Sequence, residues 1–281
     1  MIQKTFHAAV FVSLTILTQV GGVIYLCSIL LISKRKRKYR WKRIVLFLSL
    51  YLLATLFLIP RVALIFGRQK IEQLSHIQYH NVLTALCNRN YVSKELHRVL
   101  IDISLQLQEH SPNIQLVYLD ANFPFIDGFP LLPHLSHNDG KKIDLSFVYQ
   151  DLDGNVTNDK PSNSGYGVFE YPQLREKNQT EQCKSQGNWQ YDFTKYLTFG
   201  STDQLELNPE TTKRLIKLLC KHPKTQKVFI EPHLKERWGL RSDKIRFQGC
   251  SAVRMMIIFI FKSTDSQISG VIIYDRFNNF L

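Results

Sequence analysis

Two long apolar segments near the N-terminus constrain this chain more than any other feature of its sequence. Residues 6–33 and 44–66 are almost entirely apolar or small, and each exceeds the roughly 20 residues that a helix needs to cross a bilayer. The ten residues at 34–43 between them include eight Lys or Arg. Short basic loops stay on the cytoplasmic side, so the pattern predicts a two-helix membrane hairpin over residues 1–70 with both termini outside the cytoplasm.

The net charge of +13 belongs to this hairpin. Residues 1–70 hold 12 of the 36 Lys and Arg and none of the 23 Asp and Glu, which leaves 24 basic and 23 acidic residues for the rest of the chain. A nucleic-acid-binding domain needs a basic surface, and the balanced composition beyond residue 70 argues against one. We therefore expect a membrane partner and no nucleic acid.

Beyond residue 70 the sequence mixes helices and strands. We expect a stalk and leading helices over 71–110, because apolar residues recur at helical spacing over 93–108. Strands are predicted at 114–120 and 143–149, and Pro209 is a typical start for a helix through Cys220.

Four cysteines lie beyond the hairpin, at Cys87, Cys183, Cys220 and Cys250. In an oxidising compartment they allow three complete disulfide pairings, among which the sequence does not choose. None forms a CxxC pair, so a zinc site made of cysteines is not expected.

His137 and Asp144 are the candidate metal ligands. Seven residues apart on a straight helix they would be roughly 10 Å apart, too far to share one ion. The intervening Asn138-Asp-Gly140 is a strong turn signal, and Asp144 enters the strand predicted next, so the turn can fold His137 back beside it. Such pairs also occur in surface hairpins that bind no metal.

Three blocks of sequence carry a resemblance to a known family. They are Ser136-His-Asn-Asp-Gly-x-x-x-Asp144, Val228-Phe-Ile-Glu-Pro-His-Leu-Lys235 and Ile245-Arg-Phe-Gln-Gly-Cys-Ser-Ala-Val-Arg254. Together they resemble the penicillin-insensitive murein endopeptidases, members of a zinc D,D-peptidase group that includes D-Ala-D-Ala carboxypeptidases and the hedgehog domain. The resemblance covers residues 111–254.

The resemblance implies an α+β domain with a central antiparallel sheet, flanking helices and one zinc ion. It also implies hydrolysis of D-amino-acid amide cross-links in peptidoglycan, at the outer, periplasmic side of a bacterial inner membrane. His137 and Asp144 match the first two zinc ligands. The serine precedes His137 directly, whereas the wider group often has it two residues earlier.

After Arg254 the chain departs from the family. The family continues His-Asp-Asp-His-x-His, whose last histidine is the third ligand and whose other histidines assist catalysis, but this chain has Met255-Met-Ile-Ile-Phe-Ile-Phe261. The third ligand is expected near Ile260, and the other histidines near Met255 and Ile258. An apolar run of seven is itself typical of a buried strand. With only two of the three ligands, the site in this sequence should bind zinc weakly. The sequence indicates no catalytic residue.

The genetic code offers a specific cause for this departure. One base restored before the Met255 codon would shift the reading frame of Met-Met-Ile-Ile-Phe-Ile-Phe-Lys. The shifted codons can then encode His-Asp-Asp-His-Ile-His-Ile-Gln, and the two aspartate codons follow whatever bases stand at the free positions. Our hypothesis is that residues 255–281 are a tail read out of frame, through a one-base deletion or a sequencing error.

Three functions remain open. The first is a membrane-anchored zinc murein endopeptidase by ancestry, inactive as printed. The others are a non-catalytic protein that binds peptidoglycan or a partner, and a sensor with an outer domain. His134 and His233 are candidates for a substitute ligand, although a lone histidine is more often a surface or core residue.

Overall fold

The computed structural model describes residues 2–33, 38–132, 137–254 and 256–261. It begins with three helices, α1 (Ile2–Thr18), α2 (Gly21–Leu31) and α3 (Tyr39–Leu53), and α3 continues through a π-helical stretch (Ala54–Leu58) into α4 (Ile59–Ala63). Of the helices in the described residues, only the continuous 25-residue helix Tyr39–Ala63 is long and apolar enough to cross a membrane, judged by length and composition. At 1.5 Å per residue it is roughly 37 Å long.

The first apolar run does not form a second helix of this kind, so the predicted two-helix hairpin is wrong in that part. Gln19 adopts a left-handed backbone conformation, with φ of 67°, and separates α1 from α2. Their 17 and 11 residues span only about 25 and 16 Å. The 28 residues at 6–33 therefore lie in two short helices and not in one long one.

Glycines allow these two helices to pack against each other. A Cβ atom on Gly22 would lie 2.0 Å from Thr15 Oγ1, a distance that only glycine permits. Further along the pair, His7 Nδ1 and Tyr25 Oη are 2.7 Å apart, and Phe6 lines a cavity with Arg40. The start of α1 thus lies beside the basic end of α3, whereas the sequence predicted that the N-terminus lies at the opposite end.

The rest of the described chain forms an α+β domain, as predicted. Its strands are β1 (Arg68–Lys70), β2 (Ile77–Tyr79), β3 (Tyr91–Ser93), β4 (Leu116–Asp120), β5 (Lys142–Leu145), β6 (Tyr149–Asp151), β7 (Val156–Thr157), β8 (Leu205–Leu207), β9 (Thr225–Phe229), β10 (Ile245–Arg246) and β11 (Ile257–Phe261). Its helices are α5 (Val82–Leu86), α6 (Lys94–His110), α7 (Gln179–Ser185), α8 (Pro209–Lys221) and α9 (Pro232–Arg237), with a 3-10 segment at Trp189–Leu197.

The main sheet has six strands in the order β10-β9-β11-β5-β4-β2. The inner four, β9, β11, β5 and β4, are antiparallel to one another, while β10 and β2 at the edges run parallel to β9 and β4. The central sheet is therefore antiparallel, as the resemblance implied, with two parallel edge strands added.

Helices α6 and α8 cover one face of this sheet. The Ser93 side chain caps α6 by accepting a hydrogen bond from the Leu96 amide at 3.1 Å, as the serine in the sequence predicted. One hydrophobic core joins buried side chains of both helices to alternate residues of the inner strands, among them Leu100, Leu215, Ile143, Ile257, Phe259 and Phe261. The opposite face carries Asp144 and Asp120 next to Ile258 of β11.

The segment 71–110 is part of this domain. Ile71, Ile77 and Val92 lie in the main core, β2 is an edge strand of the sheet, and β1 pairs with β3. Residues that were expected to form a stalk therefore connect α4 directly to the folded domain.

A disulfide joins Cys183 of α7 to Cys250, in the segment that precedes β11. It is one of the pairs that the sequence left open, and Cys27, Cys87 and Cys220, which the structure also describes, are unpaired. The bridge closes a loop of 67 residues. It fixes the 3-10 segment and the approach to β11, where Thr194 Oγ1 donates to the Arg254 carbonyl at 2.9 Å.

We expect the double substitution Cys183→Ala and Cys250→Ala to lower the free energy of unfolding by about 2–4 kcal/mol, since the loop is long. Urea unfolding of the full-length protein in detergent, followed by the fluorescence of buried Trp238, measures this. Cys220→Ala removes an unpaired, half-buried thiol and should cost clearly less. Equal losses in both variants would show that the bridge adds no stability.

Lys160 is a buried cation away from the candidate metal ligands. Its Nζ donates to the Phe147 carbonyl at 3.2 Å and lies 5.4 Å from the centre of the Tyr149 ring. Burial lowers the pKa of Lys160 from 10.5 to about 7. The unfolded chain therefore binds the proton more tightly, and the cost of burying the ammonium is full below pH 7 and disappears as the pH rises towards 10.5.

Lys160→Met is expected to stabilise the protein at pH 6 by on the order of 2–4 kcal/mol, within the limit set by 1.36 kcal/mol per pKa unit. The gain should shrink at pH 9, because the wild-type lysine is then neutral in the fold. Urea unfolding at the two pH values tests this, with the exposed Lys217→Met as the control. A gain that is independent of pH would contradict it.

Candidate metal centre

The candidate site lies on the face of the sheet opposite α6 and α8. Strand pairing places Ile258 of β11 directly beside Asp144 of β5, and Asp144 in turn beside Asp120 of β4. Because side chains alternate along a strand, Ile258 and Ile260 lie on the face of Asp144, while Ile257, Phe259 and Phe261 enter the core. Three neighbouring strands therefore contribute to one row.

His137 packs against this row through both ring nitrogens, and its side chain is fully buried. Nδ1 lies 2.9 Å from the Ala121 carbonyl, and since a carbonyl only accepts, this nitrogen carries a hydrogen. The ring places Nε2 2.9 Å from Asp144 Oδ1. The Asn138-Asp-Gly140 turn thus returns His137 to Asp144, as the sequence predicted.

This arrangement suits two ligands of one zinc ion. Two atoms about 2.0–2.1 Å from a zinc at a tetrahedral angle are roughly 3.3 Å apart. Nε2 and Oδ1 are 2.9 Å apart, a hydrogen-bond distance, so the two side chains would move apart by only roughly 0.4 Å to bind one ion. Metal-bound histidines usually donate their other N–H to a carbonyl or carboxylate, as His137 does to Ala121. The pair therefore fits the first two positions of the implied ligand set.

One further side chain, Tyr166, orients the pair, and the sequence did not assign it to the site. Tyr166 Oη donates to Asp144 Oδ2 at 2.8 Å, which leaves Oδ1 towards His137. Burial first, and then the carboxylates of Asp144 and Asp120, raise the pKa of Tyr166 well above its usual value, so the phenol stays a donor. The sequence had suggested only that the aromatic residues at 166–171 line a cleft or fill a core.

Arg89 holds Asp120, the second acidic group of the row. Its Nε donates to Asp120 Oδ1 at 2.9 Å, and a second guanidinium nitrogen contacts Oδ2. Burial raises the pKa of Asp120, and the Arg89 charge opposes that rise. Arg89 and Asp120 are far apart in sequence and match no motif, so only the pairing of the strands reveals them.

The acidic groups around His137 favour its protonated form. Burial disfavours the imidazolium, but the carboxylates of Asp144 and Asp120 outweigh it and raise the pKa of His137. A metal ion must displace the proton on His137, so the affinity of the site for metal should fall as the pH is lowered.

The described residues supply no third ligand. They contain no group of three or more His, Cys, Asp or Glu side chains arranged to hold a metal ion. Ile258 pairs with Asp144 and Ile260 with Lys142, so aliphatic side chains occupy the positions where the resemblance places histidines. His134, Ser136, Met255 and the tail at 262–281 lie outside the described residues.

His233 belongs to a different cluster. Its Nε2 contacts the Glu170 carbonyl at 3.1 Å, and its Nδ1 lies 3.9 Å from Glu231 Oε2. Arg254, fully buried, lies 3.4 Å from the same carboxylate oxygen. His233 therefore helps to surround a buried ion pair, and nothing brings it to His137.

Comparison with protein-family models and with curated protein sequences finds no match for this chain. The resemblance to zinc D,D-peptidases therefore stays a prediction from the three sequence blocks.

Proposed function

We propose that this chain descends from membrane-anchored zinc D,D-peptidases that cut peptidoglycan cross-links, and that its metal site is incomplete as printed. One observation carries the proposal. His137 Nε2 and Asp144 Oδ1 lie 2.9 Å apart, near enough to bind one metal ion, and strand pairing presents β11, the strand expected to bear the third ligand, beside them.

The proposed anchor is the helix Tyr39–Ala63, with α1 and α2 embedded beside it as a pair too short to span separately. We infer that the basic segment at 34–43 faces the cytoplasm of a bacterial cell and the α+β domain faces the periplasm. The Cys183 to Cys250 disulfide supports this side, since disulfides persist in oxidising compartments.

The site as printed offers two of three ligands, and we derive no catalytic step from it. In the restored frame, a zinc ion on His137, Asp144 and a histidine at position 260 would supply an acidified water and polarise the scissile carbonyl. Tyr166 would keep the Asp144 carboxylate oriented, and the Ala121 carbonyl would hold the His137 ring.

Sequencing the gene after the Arg254 codon tests the proposed cause. An intact frame whose shifted codons cannot encode histidine would refute it. Zinc content and muropeptide cleavage, measured on the full-length protein as printed and with the frame restored, test the function. We expect zinc and cleavage only after restoration, and their absence from a folded, restored protein would contradict the proposal.

The missing third ligand favours one alternative, a protein that binds peptidoglycan without cutting it. It predicts that both forms of the protein sediment with purified sacculi and that neither releases muropeptides.

A further inference from the structure

The domain contacts the proposed membrane helix at its middle. Tyr51 Oη donates to the Leu86 carbonyl at 2.6 Å and accepts from Asn88 Nδ2 at 3.1 Å. Tyr51 is twelve residues after Tyr39, so it lies roughly 18 Å along a helix of about 37 Å. If this helix spans the bilayer, the end of α5 lies at the depth of lipid acyl chains.

Helix α5 is fixed in this position from both sides. Thr84 is buried and its Oγ1 donates to the Leu119 carbonyl of β4 at 2.9 Å, which attaches α5 to the main sheet. The last carbonyls of a helix have no partner within it, and hydrocarbon provides none. Tyr51 supplies that partner for Leu86, as a helix end in an apolar environment requires.

The side chains that α5 exposes are apolar. Val82 is 54% exposed, Leu83 59% and Leu86 41%, although five residues form the whole helix. A soluble surface would favour polar side chains at such positions, and clustered exposed apolar side chains are typical of a surface that contacts another apolar phase.

A second contact lies at the break between α1 and α2. The Phe125 amide donates to Gln19 Oε1 at 3.0 Å, and the rings of Phe125 and Phe66 are 5.2 Å apart. Next to this contact Ile65, Phe66 and Ile126 are exposed. Together with the three residues of α5 they form what we call the apolar rim: Ile65, Phe66, Val82, Leu83, Leu86 and Ile126.

We propose that the apolar rim is immersed in the outer leaflet, so that acyl chains cover it and the domain is seated in the bilayer surface. The proposal depends on the membrane anchor proposed above but not on zinc. Its partner is lipid because the rim adjoins a lipid-facing helix, whose Leu48 and Leu52, one turn or less from Tyr51, are also exposed. A domain on a flexible stalk would not need such a surface.

Spin labels in the full-length protein, reconstituted into nanodiscs of phosphatidylethanolamine and phosphatidylglycerol, test this. The background is Cys27→Ser, Cys87→Ser and Cys220→Ser, which keeps the disulfide. Labels are placed one at a time through Leu83→Cys on the rim, Leu48→Cys on α3 and Leu174→Cys, which is 93% exposed outside the rim. Power saturation compares collisions with oxygen, which enters lipid, and with a water-soluble nickel chelate.

We expect the labels at positions 83 and 48 to favour oxygen over nickel at least fivefold more than the label at position 174. A label at 83 that favours nickel while the label at 48 favours oxygen would overturn the immersed rim and leave the membrane helix intact. A label at 83 protected from both reagents would assign the rim to protein, such as a second copy, and would also overturn it. Nickel access at position 48 would refute the anchor itself.

Discussion

Replacing Ile260 with histidine is expected to raise the zinc affinity of the printed chain by roughly 100-fold or more. Structural zinc sites with four ligands bind with about 10–16 kcal/mol, so one ligand contributes roughly 3 kcal/mol, and each 1.4 kcal/mol is tenfold. Ile260 lies on the face of Asp144 and is only partly buried, so the substitution places an imidazole near the pair without entering the core.

Zinc titration of the full-length protein against a competing chelator measures the gain. Ile260→Asn is the matched control, because it introduces polarity with a weaker ligand. Ile260→His combined with His137→Ala should lose the gain, since only two ligands then remain. Equal affinities for Ile260→His and Ile260→Asn, in proteins with unchanged circular dichroism, would contradict a shared site.

Local signals in the sequence predicted much of the domain. Ser93 and the apolar spacing after it located α6, and Pro209 located the start of α8, because capping and periodicity act over a few residues. The Asn138-Asp-Gly140 turn predicted that His137 returns to Asp144 for the same reason. Strand β5 was shorter than predicted, since the chain leaves the ladder after Leu145 and re-forms strand as β6.

Features that depend on distant contacts could not be predicted. The apolar composition of residues 6–33 is compatible with one helix or two, and the break at Gln19 depends on how closely Gly22 lets two helices pack. A hydropathy profile does not measure how closely two helices can pack. Likewise, Tyr166 and Arg89 join the site only because the loop after β7 and the segment between α5 and β3 meet β5 and β4 in space.

Removing Arg89 should be the most damaging single change near the site. Arg89→Leu leaves the Asp120 carboxylate, which is 3% exposed, without its cation and next to Asp144. Breaking a buried ion pair by deleting one partner costs about 3–5 kcal/mol, because an uncompensated charge remains in the interior. We therefore expect the free energy of unfolding to fall by that amount.

A second variant separates the lost charge pair from lost packing. Arg89→Leu with Asp120→Asn removes both charges, so it should recover much of the stability that the single variant loses.

The pH dependence provides a further test. Burial already raises the pKa of Asp120, and without Arg89 the pKa must rise further. A carboxyl whose pKa is raised in the folded state does not change the free energy of unfolding at a pH where it is protonated in both states. It lowers that free energy most where it is ionised in both states. The loss of stability in Arg89→Leu should therefore be largest at pH 8 and smaller at pH 5. Urea unfolding of the two variants at both pH values measures this, with Arg98→Leu, at an exposed position, as the control. If Arg89→Leu loses no more stability than Arg98→Leu, the Asp120 charge is not buried in solution.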